Sequence, residues 1–367
     1  MRNLIAIFLI LSVFACKKEE DEEIVPPPDP NPWPTQNLRT VKTGLSFPWE
    51  ILWGKDDHIW MTERGGRISK VNPLDGTTVF TTTLSDVVSQ GEGGLLGMVH
   101  HPDFLTNGFL YVVYNYQKSG TYTEKVVRFT FRNNALSDAL TILDNIPAAN
   151  IHNGSRLWIT ADNKLLITTG DAANTSLPQN MNSLAGKLLR INLDGSIPAD
   201  NPVANNPVWS MGHRNAQGLV LVNGRIFTSE HGPSIEDEVN LIEKGRNYGW
   251  PNVNGPCDGS ETSFCTTNNI AQPIWSSGAS TVATAGMDYY NNSRIPAWSN
   301  SILLTTLKDA TLYQLKLNSA GTAVESVTQF YRGNWGRLRD VCISPAGRVY
   351  ICTSNGGGND RIIEIQN

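Results

Sequence analysis

The chain has 367 residues, 40% of them hydrophobic and only 17% charged, with a formal net charge of −5 and no basic block in its body. That balance argues against nucleic-acid binding by phosphate neutralisation. The abundance of Gly (32), Pro (20), Trp (10), Tyr (10) and Phe (11) favours a turn-rich β protein over a helical one. The first predicted element is not part of the fold. Arg2 precedes an apolar run from Leu4 to Ala15, followed by Cys16. This reads as a signal peptide over 1–15, too short to span a bilayer as a mature helix. Val13-Phe14-Ala15-Cys16 has the layout of a bacterial lipobox, whose Cys is acylated and becomes the new N-terminus. The charged run Lys17 to Glu23 and the Pro-rich Val25 to Pro34 extend it into a solvated tether over 16–37. The expectation is an exported protein anchored by lipid to a bacterial outer membrane, on its periplasmic or its outer side.

From residue 38 onward one pattern recurs: an apolar strand, a turn of Asp, Asn, Gly or Pro, a second apolar strand, then a polar residue. The clearest copies run from Ile51 to Glu63, Leu157 to Asp171, Leu219 to His231 and Val341 to Asn355. Two weaker copies contain Tyr111-Val-Val-Tyr-Asn115 and Ile302-Leu-Leu-Thr-Thr-Leu-Lys308. Their spacing suits four-stranded propeller blades of about 40–50 residues with loop insertions. The predicted fold is therefore an all-β, six-bladed β-propeller of antiparallel blades over 38–367. A β-sandwich does not explain so long a repeat.

The repeat carries geometry. In an antiparallel hairpin the start of the first strand and the end of the second lie at the same end. Glu92, His152, Arg214 with Asn215, and Arg337 with Arg339 precede first strands. Glu63, Asp171, His231 and Lys308 follow second strands. In a propeller these positions form one ring around the axis. The four cations suit a small ligand with several carboxylates, and His152 with Asp171 suits a general base and its orienting partner. The alternation of Arg337 and Arg339 equally fits surface charge on one strand face. Glu230-His231-Gly232-Pro233, followed by Glu236-Asp237-Glu238, offers the oxygen ligands that calcium takes. Gly91 to Gly97 fails the dinucleotide fingerprint because Leu96 replaces its last glycine. Cys257 and Cys265 are placed to close a loop disulfide in an oxidising compartment. Cys342 and Cys352 flank a Pro345-Ala346-Gly347 turn and are expected opposite each other, as a disulfide or as two buried thiols.

At these residues the chain resembles the quinoprotein glucose and aldose sugar dehydrogenases of the glucose/sorbosone dehydrogenase family. The resemblance rests on Gly94-Leu-Leu-Gly97 with His101-Pro-Asp-Phe104, Gly186-Lys-Leu-Leu-Arg-Ile-Asn-Leu-Asp-Gly-Ser-Ile-Pro198 and Gly212-His-Arg-Asn-Ala-Gln-Gly-Leu219. Asn240-Leu-Ile-Glu-Lys-Gly-Arg-Asn-Tyr-Gly-Trp-Pro251 and Arg337-Leu-Arg-Asp-Val341 complete it. It implies a six-bladed propeller holding pyrroloquinoline quinone (PQQ) and calcium, oxidising an aldose at its anomeric carbon to the lactone. It further implies His152 as the base taking the anomeric hydroxyl proton while hydride passes to the quinone, Asp171 as its orienter, and Arg214 as the stabiliser of charge on the reduced quinone. Asn215, His231, Thr281, Lys308, Arg337 and Arg339 are implied as cofactor contacts and Glu92 as a sugar contact. The carbonyls of Gly232 and Pro233 are implied for the catalytic calcium. Asp237, Glu238 and the Tyr248 carbonyl are implied for a structural calcium, a site that in the family can sit near a dimer interface. A membrane quinone or a c-type cytochrome is the implied electron acceptor. Glu92 replaces a Gln of the glucose enzyme, and Trp275 to Ser280 lacks the family's aromatic pattern and leaves Trp275 as a nearby aromatic, so a broad aldose range is expected. Some relatives use the fold only for recognition, so the alternative is a non-catalytic propeller that binds a glycan or a protein.

Overall fold

The computed structural model describes residues 33–366. The signal segment, Cys16 and most of the tether lie outside the described residues. Six four-stranded antiparallel sheets follow one another around an axis. Their innermost strands are Pro48–Trp53, Leu95–His100, Gly154–Ile159, Ala216–Val222, Thr284–Tyr290 and Leu338–Ile343, each packed on the next around a closed ring. Blades 1 to 5 take their four strands in chain order. Blade 6 is closed by the N-terminal strand: Leu38–Leu45 pairs with Asp360–Ile365, so both ends of the propeller share one sheet. The fold is thus the expected six-bladed β-propeller.

Burial grades outward. Second strands such as Ile59–Glu63 and Val349–Thr353 are buried at every residue, whereas the outer strand Val324–Phe330 is exposed along most of its length. Inner strands pack both faces against neighbouring blades, which is why they read as continuous apolar runs. Hydroxyls near the site-proximal ends of the second strands stitch blade to blade. Thr62 Oγ1 donates to the Leu96 carbonyl at 2.5 Å, Thr168 Oγ1 to Ala216 at 2.8 Å, and Ser229 Oγ to Ala285 at 2.6 Å.

Every innermost strand breaks register at this same end. The breaks fall between Pro48 and Glu50, Leu95 and Met98, Gly154 and Leu157, Ala216 and Gly218, Thr284 and Met287, and Leu338 and Asp340. A bulge adds an unpaired residue and re-aims its side chain. Trp49, Gln217 and Arg339 are such extra residues, and Arg156 lies in the bulge of blade 3. Together they fill the axis just beneath the site. Cys342 and Cys352 are both buried free thiols. They are not opposite each other: Cys342 faces Tyr350 and Cys352 faces Asp340, because the bulge at Arg339 fixes the register of that hairpin. Cys257 and Cys265 form a disulfide in the long loop of blade 4, with Cα atoms 6.2 Å apart.

Candidate functional site

The ring of polar ends forms as the hairpin geometry requires. His152 stands in the turn before blade 3 at φ +58°, an uncommon conformation for a residue with a side chain. The turn is fixed from below. The His152 carbonyl accepts the Ala172 N–H at 3.1 Å, and a Cβ at Gly170 would lie 1.8 Å from that oxygen, so only glycine fits there. His152 Nδ1 lies 2.8 Å from Asp171 Oδ1, with Asp171 almost fully buried. The same carboxylate oxygen accepts the Ala173 N–H at 2.8 Å, and Oδ2 accepts the Trp250 indole N–H at 2.9 Å. A carboxylate on Nδ1 leaves Nε2 as the free lone pair, the arrangement of a general base.

Across from the base, Arg214 packs its guanidinium on the Trp250 ring, 5.3 Å from the centroid, and donates through Nη1 to the His231 carbonyl at 3.2 Å. Burial lowers its pKa. Its Nε is buried without a partner, as are Asn215 Nδ2 and Arg339 Nε. Asn215 Oδ1 accepts the Gly154 N–H at 3.0 Å, which fixes the amide and points its donors away from that strand. His231 donates from Nε2 to the Thr284 carbonyl at 2.5 Å, and burial holds its imidazole neutral, with a pKa of about 3. Lys308 reaches Thr281 Oγ1 at 2.8 Å. Arg337 is exposed while Arg339 is buried, so the two do not share a surface face; the bulge turns Arg339 to the axis, where Nη1 donates to Gln217 Oε1 at 2.6 Å. Burial and then the Arg337 charge push the Arg339 pKa down to about 9. Glu92 is exposed beside the base, with Oε2 accepting the His152 N–H at 3.4 Å.

Two candidates fall elsewhere. Glu63 is turned away from the ring into an ion pair with Arg67, and its Oε1 accepts the Ser46 N–H at 2.7 Å. The neighbouring Arg64 takes its place. Trp275 pairs with Val239 in blade 4 and packs on Tyr313 at 5.7 Å, within the apolar layer rather than over the site. The aromatic of the site is Trp250, which sequence reasoning passed over: it lies in a blade 4 loop whose return to blade 3 leaves no periodicity to read.

The residues present suit a polycarboxylate cofactor. Arg64, Arg214, Lys308, Arg337 and Arg339 make no ion pair among the described residues, whereas Arg39, Arg67, Arg156, Arg190 and Arg246 each have a carboxylate partner. Unneutralised guanidiniums with unpartnered, buried N–H groups are poised for an anion. The loop expected to hold calcium is tightly fixed: the Gly232 N–H donates to Asp237 Oδ1 at 2.8 Å, and a Cβ at Gly232 would meet the Ile235 carbonyl at 1.8 Å. The carbonyls of Gly232 and Pro233 would offer the hard oxygens calcium prefers. Asp237 and Glu238 do not converge. Asp237 Oδ2 accepts the Val282 and Ala283 N–H groups at 2.6 Å, which stitches this loop to blade 5. Glu238, next in the strand, faces the other way to Gly255 and Asn240, and burial raises its pKa to about 8. The Tyr248 hydroxyl is taken by the Leu241 carbonyl at 2.7 Å. Among the described residues no three His, Cys, Asp or Glu side chains converge to hold a metal, so a second cation would depend on backbone oxygens such as the Tyr248 carbonyl.

Beneath the His152 turn lies Glu124, fully buried, with Oε1 unpartnered and Oε2 accepting the Ser155 hydroxyl at 2.6 Å. Burial raises its pKa to about 8. In the folded protein it keeps its proton between about pH 4.5 and 8, where the unfolded chain has released it, so it lowers stability as pH rises through that window. Glu124→Gln is therefore expected to match the parent near pH 5 and to exceed it by on the order of 3 kcal/mol at pH 9. Urea midpoints at the two pH values measure this; parallel pH profiles for the two proteins would refute it.

Comparison with known proteins agrees with this geometry. Residues 45–364 match the Glucose / Sorbosone dehydrogenase family. The chain is 30% identical to quinoprotein glucose dehydrogenase B of Acinetobacter calcoaceticus, over 87% of this chain and 85% of that one. It is 29% identical to an aldose sugar dehydrogenase of Escherichia coli, over 88% and 91%. The PQQ-bound aldose sugar dehydrogenase of Streptomyces coelicolor superposes with a TM-score of 0.78 at 31% identity, covering 89% of this chain and 96% of that one. The chain belongs to the glucose/sorbosone dehydrogenase family, and its relatives at about this identity include a quinoprotein glucose dehydrogenase and a PQQ-bound aldose sugar dehydrogenase.

Proposed function

We propose that this protein oxidises aldoses at the anomeric carbon to lactones, with PQQ and calcium as cofactors. The observation that carries the reading is the His152–Asp171 pair set among five cations that form no ion pair with a carboxylate of the described residues. When bound, PQQ would supply the two-electron acceptor, and calcium held by the Gly232 and Pro233 carbonyls would supply Lewis-acid polarisation of the quinone. Lys308, Arg337, Arg339 and Asn215 would hold its carboxylates and carbonyls, with Thr281 and His231 beside them. His152 accepts the anomeric hydroxyl proton at Nε2, and Asp171 stabilises the imidazolium that results. Arg214 sits where negative charge develops opposite the base. Glu92 offers an acceptor to sugar hydroxyls at an open, polar rim, which favours a broad aldose range over strict glucose specificity.

Titration of the calcium-loaded protein with PQQ, followed by dye-coupled oxidation of a panel of aldoses, tests the reading. Micromolar or tighter PQQ binding with turnover of at least one aldose is expected. Failure to bind PQQ would overturn it and leave a glycan- or protein-binding propeller. Acylation at Cys16, with electron transfer to a membrane quinone or a c-type cytochrome, and assembly as a homodimer belong to the same proposal. Labelling with a fatty acid, lost in Cys16→Ser, tests the anchor.

Trp250 has a positioning role in this scheme, since it bonds Asp171 through Nε1 and supports Arg214 through its face. Trp250→Phe keeps the face and removes the N–H. It is expected to lower kcat by roughly tenfold, the order of one lost hydrogen bond to a charged group, while KM for sugar and PQQ affinity stay near the parent. An unchanged kcat would show that the indole N–H does nothing for the base.

A further inference from the structure

Arg64 follows the second strand of blade 1 at the ring position that His231 occupies in blade 4. Its guanidinium is held over the Phe47 ring, 4.2 Å from the centroid, and Nη1 donates to the Gly91 carbonyl at 2.6 Å. Its Nε is buried and has no partner. Burial lowers its pKa, the exposed Glu92 raises it, and the Arg337 charge lowers it further. Two guanidiniums therefore share one rim, opposed by the Glu92 and Asp360 charges, and neither carboxylate makes an ion pair with either of them. The nearby Asp360 carboxylate is not available, because it accepts the N–H groups of Phe47, Asn355 and Gly356. A fold gains nothing from anchoring a guanidinium near a like charge with a buried donor unsatisfied. The arrangement is explained by an anion that arrives from outside, and a planar guanidinium on an aromatic support matches a carboxylate.

We propose that Arg64 is a carboxylate-binding residue of this site, acting with Arg337 on an acidic group of the bound cofactor. The proposal rests on the PQQ reading of the site. The step is pure binding: no bond forms or breaks.

The test uses the full-length, calcium-loaded protein and titrates PQQ into the parent, Arg64→Gln and Arg64→Lys at several salt concentrations. Arg64→Gln is expected to raise the PQQ Kd about tenfold or more and to flatten its dependence on salt. Arg64→Lys is expected to recover part of the affinity. A thermal midpoint measured without PQQ shows whether the Gln variant is folded; if it is not, the Lys variant carries the comparison, since the charge remains and only the planar fork is lost. A Kd equal to the parent's, together with a tenfold loss of kcat/KM for glucuronate relative to glucose, would overturn the cofactor assignment and move the same carboxylate chemistry to an acidic sugar. No change in either quantity would overturn the proposal altogether. Parent protein that binds no PQQ would instead overturn the reading beneath it, and the two failures are told apart by that first titration.

Discussion

His152→Ala is expected to lower kcat for aldose oxidation by roughly 10³- to 10⁴-fold while leaving PQQ affinity near the parent value. The side chain meets only Asp171 through Nδ1 among the described residues, so its removal takes away the base without disturbing the cations that would hold the cofactor. Asp171→Asn tests the same geometry from the other side. The carboxylate accepts from Nδ1 and leaves Nε2 free; an amide in its place can donate to Nδ1 and force the proton onto Nε2, where it blocks the base. That variant is expected to lose activity by about 10² or more and to stay folded, because the Trp250 indole N–H can still bond the amide oxygen, while the Ala173 N–H loses its acceptor to the amide nitrogen turned toward Nδ1. Dye-coupled turnover of the PQQ- and calcium-loaded proteins measures both. Retention of more than a tenth of the parent rate by His152→Ala would remove this residue from the chemistry.

The parts of this site that were legible in the sequence share one physical cause. Inner hairpins are packed on both faces, so they appear as continuous apolar runs, and the polar residues at their ends stand out. That is enough to gather Glu92, His152, Asp171, Arg214, Asn215, His231, Lys308 and Arg337 at one end of the ring. It fails where the bulges intervene. Period-two alternation puts Arg337 and Arg339 on one face, whereas the extra residue at 339 sends one outward and the other to the axis. The same period cannot decide between Glu63 and Arg64, which lie on opposite sides of one strand end. The Arg67 side chain four residues on was the available signal, because it claims the Glu63 carboxylate. Trp250 was not legible from local pattern, since its partners Asp171 and Arg214 come from other segments and only the loop path brings them together. Outer strands such as Val324–Phe330 are exposed and carry too little apolar contrast to be read as strands.

Arg156→Met is expected to destabilise the protein by about 3–5 kcal/mol near neutral pH, the range for removing one partner of a buried ion group. Arg156 is buried at the axis, over the Trp49 ring at 4.3 Å. Its Nη1 meets Glu50 Oε1 at 2.7 Å and Asp340 Oδ2 at 2.8 Å, and its Nε donates to the Gln217 carbonyl at 3.0 Å. Blades 1, 3, 4 and 6 thus share one guanidinium. Burial raises the pKa of both Glu50 and Asp340, and Arg156 is the main influence pulling each back down. Without it both carboxyls keep their protons to higher pH in the folded protein. A carboxyl with a raised folded pKa contributes stability at low pH and loses it as pH rises, so the deficit of the variant should shrink toward pH 5 and widen toward pH 8. Urea unfolding at these pH values measures the trend, and a deficit independent of pH would show that lost packing on Trp49, not charge, is the cause. The same variant reports on the site. Gln217 bonds Arg156 through its carbonyl and Arg339 through its side chain, so loosening the axis should free Arg339 and weaken PQQ binding even though Arg156 lies beneath the cofactor cations. An unstable variant with undiminished PQQ affinity would show instead that the bulged inner strands hold the cradle independently of the charges they enclose.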